Sequence, residues 1–182
     1  MVIHRDYRYL PTINCGALFK ILLCNIPTAS IAASTMTKLL LIQGANMAWL
    51  GRRNPEIYGT TTVDQLNEML WTHAVDNGYE LDIFYTHVEG EAIARVFQAA
   101  EGDIDGLVMN PAGFTYRGEA LRDCILDCEG LPYIEVHITN LAKRDIKSVL
   151  ASAADGMLMG FGVESYVLAL DAMLDLLQKR NG

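Results

Sequence analysis

Basic residues are scarce in this chain: its 182 residues carry 14 Lys and Arg against 22 Asp and Glu, for a formal net charge of -8 at pH 7. Without an excess of positive surface, nucleic acid and anionic membrane are disfavoured as general partners, although a local pocket can still receive a small anion. Cysteine is sparse as well. The four present, Cys15, Cys24, Cys124 and Cys128, form no CxxC pair and have no histidine at zinc-finger spacing, which argues against a structural metal site. Cys124 and Cys128 stand one helical turn apart on a predicted helix, where packed thiols are expected, and a reducing, cytoplasmic setting is the simplest reading. No GxGxxG occurs, nor GxxxxGK followed by Ser or Thr, so nucleotide phosphate binding has no support. The apolar stretch over residues 17–33 is interrupted by Lys20, Asn25 and Pro27, short of the roughly 20 unbroken apolar residues of a membrane span. Internal repeats and low-complexity segments are also lacking.

The composition that remains is ordinary for a globular protein, 51% hydrophobic and 20% charged. A chain of this length fits one domain, since it can bury roughly 70% of its unfolded surface. Residues 1–35 differ from the rest. Arg5, Arg8 and Lys20 precede an apolar run that ends in small residues, Ala29 to Ser34, a pattern open to reading as a secretory signal. The alternative is a translated upstream stretch, because Met36-Thr37-Lys38 leads directly into a strand-like run and makes a natural start. The expected folded domain is therefore 36–182, with 1–35 a leader of undecided status.

From Lys38 to Gln43 the chain is apolar and stops at Gly44, the pattern of a buried parallel strand. Ala45 to Thr60 predicts a long polar loop, and loops of that length in compact domains usually serve function. Thr62 caps a predicted helix to about Asn77, with Gly78 as its stop. Strands are expected over Glu80 to Thr86, Gly106 to Met109, Tyr133 to Val136 and Gly156 to Met159. Helices are expected over Glu89 to Ala100, Gly118 to Cys128, Leu141 to Ala151 and Val163 to Lys179. This alternation predicts an α/β fold, a doubly wound parallel sheet of about five strands with helices on both faces, which binds ligands beyond the carboxyl ends of its strands.

Three such ends carry polar clusters. The first is GANMAWLGRRNPEIYG, Gly44 to Gly59. A free tyrosine, with a pKa near 10, is only about 0.1% ionised at pH 7, so Tyr58 serves as a base only if a guanidinium such as that of Arg53 favours the phenolate inside a closed pocket. Taken alone, the segment equally fits a surface aromatic beside solvated arginines. The second is NPAGFTYRGEALRD, Asn110 to Asp123, whose backbone amides and Asn110 side chain suit a carboxylate at a helix N-terminus, or else form a plain strand-to-helix turn. The third is EVHITN, Glu135 to Asn140. There Glu135 lies two residues before His137 on one face of the strand and can orient and charge the imidazole, though a histidine at a strand end is also often structural. His4, His73 and His87 have no such setting.

In this order and spacing the three segments resemble the type II 3-dehydroquinate dehydratases, from about Lys38 to Leu177. The family's GPNxxxLGxRxPxxYG stands here as GANMAWLGRRNPEIYG, its NPxxxTH as NPAGFTY, its ALRD as Ala120 to Asp123, its EVHxSN as EVHITN, and its GFGxxxYxLAL as Gly160 to Leu170; an EGE is kept at Glu89 to Glu91. The resemblance implies a flavodoxin-like sheet. It also implies anti elimination of water from 3-dehydroquinate through an enolate, without metal or cofactor, in aromatic amino-acid synthesis or quinate breakdown. On the same resemblance Tyr58 matches the base, Arg53 the arginine that stabilises its phenolate, and Asn46 the asparagine that holds a water against the enolate oxygen. His137, oriented by Glu135, matches the acid. Asn110, with the backbone of Ile138 and Thr139, matches the carboxylate pocket, and Asp123 matches a residue that reaches a neighbouring subunit's substrate in trimers assembled to a dodecamer.

The departures from the family cluster at one end of the site. Tyr116 stands where the family has a histidine that binds ring hydroxyls, and Arg117 follows it. Arg144 and Lys147 are the remaining expected contacts for substrate: beyond Arg144 the family's second arginine and the HSYLSP segment are absent, the connection is shorter, and Lys147 is the nearest cation. Ala45 and Asn54 replace the usual proline and acidic residue. The proton-transfer positions all match while the hydroxyl-recognition end does not. That leaves a related cyclic hydroxy-keto acid as an alternative substrate, and a non-catalytic small-acid-binding protein as the reading outside enzymes.

Overall fold

The computed structural model describes residues 36–182; the leader, with Cys15, Cys24 and His4, lies outside the described residues. The chain builds β1 (Lys38–Ala45), a helical turn α1 (Pro55–Tyr58), α2 (Val63–Asn77), β2 (Glu80–Tyr85), α3 (Glu89–Glu101), β3 (Gly106–Ala112), α4 (Glu119–Asp127), β4 (Tyr133–His137), β5 (Gly156–Met159) and α5 (Glu164–Asn181). Its five strands are all parallel, in the order β2-β1-β3-β4-β5. This is the doubly wound order of flavodoxin-like folds, in which the chain reverses direction across the sheet between β1 and β3.

The strand pattern follows from layering. Leu39, Leu40, Leu41 and Ile42 are all fully buried because β1 is central and covered on both faces, and each such side chain contributes about 1.5–3 kcal/mol on burial. Leu39 and Leu41 join Val108, Ile134 and Val136 against Leu66, Leu70 and Tyr166 from α2 and α5. Leu40 and Ile42 join Leu107, Met109 and Tyr133 against Val96 and Leu121 from α3 and α4. Helices therefore lie on both faces, as the alternation predicts.

Local sequence sets most boundaries. Thr62 and Gln65 exchange side-chain and backbone hydrogen bonds in a capping box at the start of α2, and Gly78, with φ 69°, ends it. The EGE segment has a structural job. Glu89 accepts from the backbone N–H of Leu121 at 3.1 Å, tying the start of α4 to α3, and Glu91 accepts from the Thr86 hydroxyl. His73 bridges the Tyr79 hydroxyl (2.8 Å) and Asp171 (3.0 Å), linking α2 to α5.

Two expectations need correction. The long loop after β1 is not structureless: it contains a 3-10 turn at Met47–Trp49 and α1, which begins with Pro55 in the first-turn position where its missing N–H costs nothing. In place of one helix from Leu141 to Ala151, the chain makes two short 3-10 turns, Ala142–Arg144 and Ala151–Ala153. Asp145 turns left-handed at φ 54°, and the Val149 N–H is drawn to the carbonyl of Thr115, so the helical ladder has no continuation. No helix among the described residues is long and apolar enough to cross a membrane.

Candidate active site

The carboxyl ends of β1, β3 and β4 meet, with the α1 loop and the Leu141–Ile146 segment, around a cavity of about 550 Å³ including its open mouth. Asn46, Arg53, Tyr58, Asn110, Tyr116, His137, Ile138, Thr139 and Arg144 all line it. The three polar clusters read from the sequence therefore form one site.

Tyr58 ends α1. The Arg53 guanidinium donates to its hydroxyl at 3.1 Å and also lies 4.3 Å from the ring centroid. Arg144 approaches the same hydroxyl at 3.5 Å while donating to the Thr139 hydroxyl at 3.0 Å. Two cations thus face one oxygen, an arrangement that stabilises negative charge developing there.

Asn46 has φ 79°, left-handed backbone that asparagine tolerates better than most residues. Its backbone N–H donates to His87 Nδ1 at 3.0 Å, so the loop after β2 anchors the residue that begins the loop carrying Arg53 and Tyr58. On β4, alternation points Tyr133, Glu135 and His137 to one face. Glu135, fully buried, has Oε1 at 2.5 Å from His137 Nε2 and accepts the Tyr133 hydroxyl on Oε2 at 3.3 Å. Burial, and then the charge of Glu135, push the Tyr133 phenol well up, so it stays a donor. With Nε2 held, His137 keeps Nδ1 as the ring nitrogen available to a ligand.

Asn110 is buried at the floor. Its Oδ1 accepts from the Ala112 N–H at 3.1 Å and its Nδ2 donates to the Tyr166 hydroxyl at 2.7 Å. The expected helix N-terminus is not there: β3 runs on to Ala112, a 3-10 turn follows over Gly113–Tyr116, and α4 begins only at Glu119. The Ala112 N–H, one of the amides expected to face a carboxylate, is already taken by Asn110.

The end of the site expected from the resemblance to recognise ring hydroxyls is apolar and open. Tyr116 is 53% exposed at the rim, Ile146 and Leu141 line the wall, and Lys147 is exposed outside the lining, as are Arg117 and Asp123, the latter paired with Arg122 at 2.6 Å. Thr115, 2% exposed, also lines the cavity, and its hydroxyl has no partner among the described residues. Met47, Thr115 and Ile146 go unmarked in the sequence, and His87 reads there as a histidine without a functional setting. Thr115 lies inside the NPxxxTH pattern and was within reach, whereas His87 belongs to a different strand end and carries no local signal. Among the described residues no group of three His, Cys, Asp or Glu side chains is placed to hold a metal ion.

A family model described as Dehydroquinase class II matches residues 37–174. The 3-dehydroquinate dehydratase of Geotalea daltonii is 41% identical over 145 residues, covering 78% of this chain and 99% of that protein. That of Thioalkalivibrio sulfidiphilus is 41% identical over 147 residues, covering 79% and 99%. The crystal structure of a type II dehydroquinase from Butyrivibrio crossotus superposes with a TM-score of 0.73 at 30% identity, covering 76% of this chain and 97% of that one.

Proposed function

Because the chain belongs to the class II dehydroquinase family, we propose that it dehydrates 3-dehydroquinate to 3-dehydroshikimate, with Tyr58 as base and His137 as acid. The observation that carries this reading is the pairing in one cavity of an arginine-flanked phenol, Arg53 to Tyr58 at 3.1 Å, with a carboxylate-held imidazole, Glu135 to His137 at 2.5 Å. One site thus offers a proton acceptor and a proton donor in opposed electrostatic settings.

The elimination needs no more than that. Tyr58 removes the proton beside the ketone and the electron pair becomes an enolate. Asn46 holds a water against the enolate oxygen, and Arg53 with Arg144 stabilises the charge that passes through the phenolate. The carbon–oxygen bond then breaks, and His137 delivers a proton from the ring nitrogen not held by Glu135, so that hydroxide leaves as water. Asn110, with the backbone of Ile138 and Thr139, receives the substrate carboxylate. No electrons pass to a second molecule, and no cofactor is called for. The same reading has the chain assemble as trimers in a dodecamer, Asp123 of one subunit completing a neighbour's site. It also has it work in the cytoplasm, in aromatic amino-acid synthesis or quinate breakdown.

A second substrate is favoured by one observation, the apolar end formed by Tyr116 and Ile146. Turnover of 3-dehydroquinate, followed by the absorbance of the enone product, separates the two. Wild-type protein is expected to turn it over efficiently, with Tyr116→His within about tenfold in kcat/KM, because a half-exposed rim residue contributes at most one hydroxyl contact. A poor wild type improved by histidine about ten- to a hundredfold would assign the enzyme to a related cyclic keto acid with fewer ring hydroxyls. A fully active monomer in light scattering would remove Asp123 from the site.

A further inference from the structure

Behind the cavity floor a chain of buried polar side chains runs away from the site: Asn110, Tyr166 on α5 and Gln43 on β1, respectively 3%, 0% and 0% exposed. The Asn110 amide is 2.7 Å from the Tyr166 hydroxyl, which is 2.8 Å from Gln43 Oε1. Donor chemistry gives this chain one direction. A backbone N–H can only donate, so the Ala112 N–H at 3.1 Å requires Oδ1, not Nδ2, on its side of Asn110. The Nδ2 group then faces Tyr166 and gives it one hydrogen, leaving the other for the cavity that Asn110 lines. Having accepted from Asn110, the Tyr166 hydroxyl must donate onward, and Gln43 Oε1 receives it. Burial raises the Tyr166 phenol, so the hydroxyl keeps the proton that this direction needs.

The arrangement is held against two local costs. Gln43 Nε2 is buried with no partner among the described residues, and Ala112 adopts φ 49°, ψ -107°, a region that residues with a Cβ rarely enter. A core evolved only for packing removes the first easily, since an apolar side chain at 43 leaves no unpaired amide. We propose that Tyr166, backed by Gln43, is a positioning residue for the reaction: it holds the Asn110 amide so that an N–H, not the carbonyl, meets the substrate's carboxylate. This rests on the reading of Asn110 as part of the carboxylate pocket.

The test is a double-mutant cycle on 3-dehydroquinate turnover with Tyr166→Phe, Asn110→Ala and the pair, together with the Asn110 side-chain amide signals in isotope-labelled protein. Tyr166→Phe should raise KM about tenfold with kcat changed less than about threefold, and its effect on KM should fall below about twofold when Asn110 is already alanine. Equal KM changes in both backgrounds, or a fall in kcat alone, would overturn the proposal. Should Tyr166→Phe fold poorly, Gln43→Met frees the hydroxyl to point either way. It should raise KM several-fold, and an unchanged KM overturns the proposal. The amide signals separate this idea from the assignment of function. In Tyr166→Phe the Asn110 Nδ2 protons should shift and exchange faster whatever the substrate is, and unchanged signals overturn the relay. An unaltered KM in Asn110→Ala overturns the carboxylate reading instead.

Discussion

Tyr58→Phe should lower kcat about 10²- to 10⁴-fold, the usual worth of a positioned base, while substrate affinity stays within a few fold. The phenol oxygen matters most when it carries charge. It lies beside Arg53 at 3.1 Å and Arg144 at 3.5 Å, two cations that favour the phenolate a base requires. On the proposed reading it takes the proton leaving the carbon in the transition state while the charge passes to the enolate, and phenylalanine has no oxygen to accept that proton. Phenylalanine keeps the ring and its cation–π contacts, 4.3 Å to Arg53 and 5.6 Å to Arg144, so the loop should hold its shape. Steady-state kinetics with an inhibitor-binding control checks this, and wild-type turnover in the variant would transfer the role of base elsewhere. Arg53→Ala should act in the same direction but less, because Arg144 still faces the oxygen.

Gly44→Ala should be among the most damaging single changes in the molecule, costing about 3 kcal/mol or more and lowering Tm by on the order of 10 °C for a domain of this size. An added Cβ would lie 2.1 Å from the carbonyl oxygen of Pro111 and 2.7 Å from its carbon. Both atoms are backbone, bracketed by the β1–β3 pairs Gln43 with Asn110 and Ala45 with Ala112, so neither can rotate away. The strands must separate where they present Asn46 and Asn110, and activity should fall with stability. Thermal melting is the direct measurement. A variant as stable as the wild type would mean that the strand ends yield more than their pairing suggests.

Much of this protein is determined by the sequence read along its length. The unbroken run Leu39 to Ile42 specifies a strand covered on both faces, because alternation is needed only where one face meets water. Thr62 with Gln65, and Gly78, bound α2 because capping and left-handed termination are local chemistry. The pairing of Glu135 with His137 follows from the two-residue period of a strand. What failed is what depends on residues distant in the chain. The segment after Leu141 has helix-forming residues, yet Val149 bonds to Thr115 and the helix is lost to a tertiary hydrogen bond. Lys147 is the nearest cation in sequence, but the two 3-10 turns bring Ile146 to the cavity instead. Arg144 reads from sequence as a contact for substrate, and only the fold carries its guanidinium to Tyr58, in a separate loop. His87 at Asn46 and Tyr166 behind Asn110 are likewise decided by the sheet order β2-β1-β3. That order sets strand ends and helix faces side by side that no local spacing relates, and a hydrogen bond depends on distance in space rather than separation along the chain.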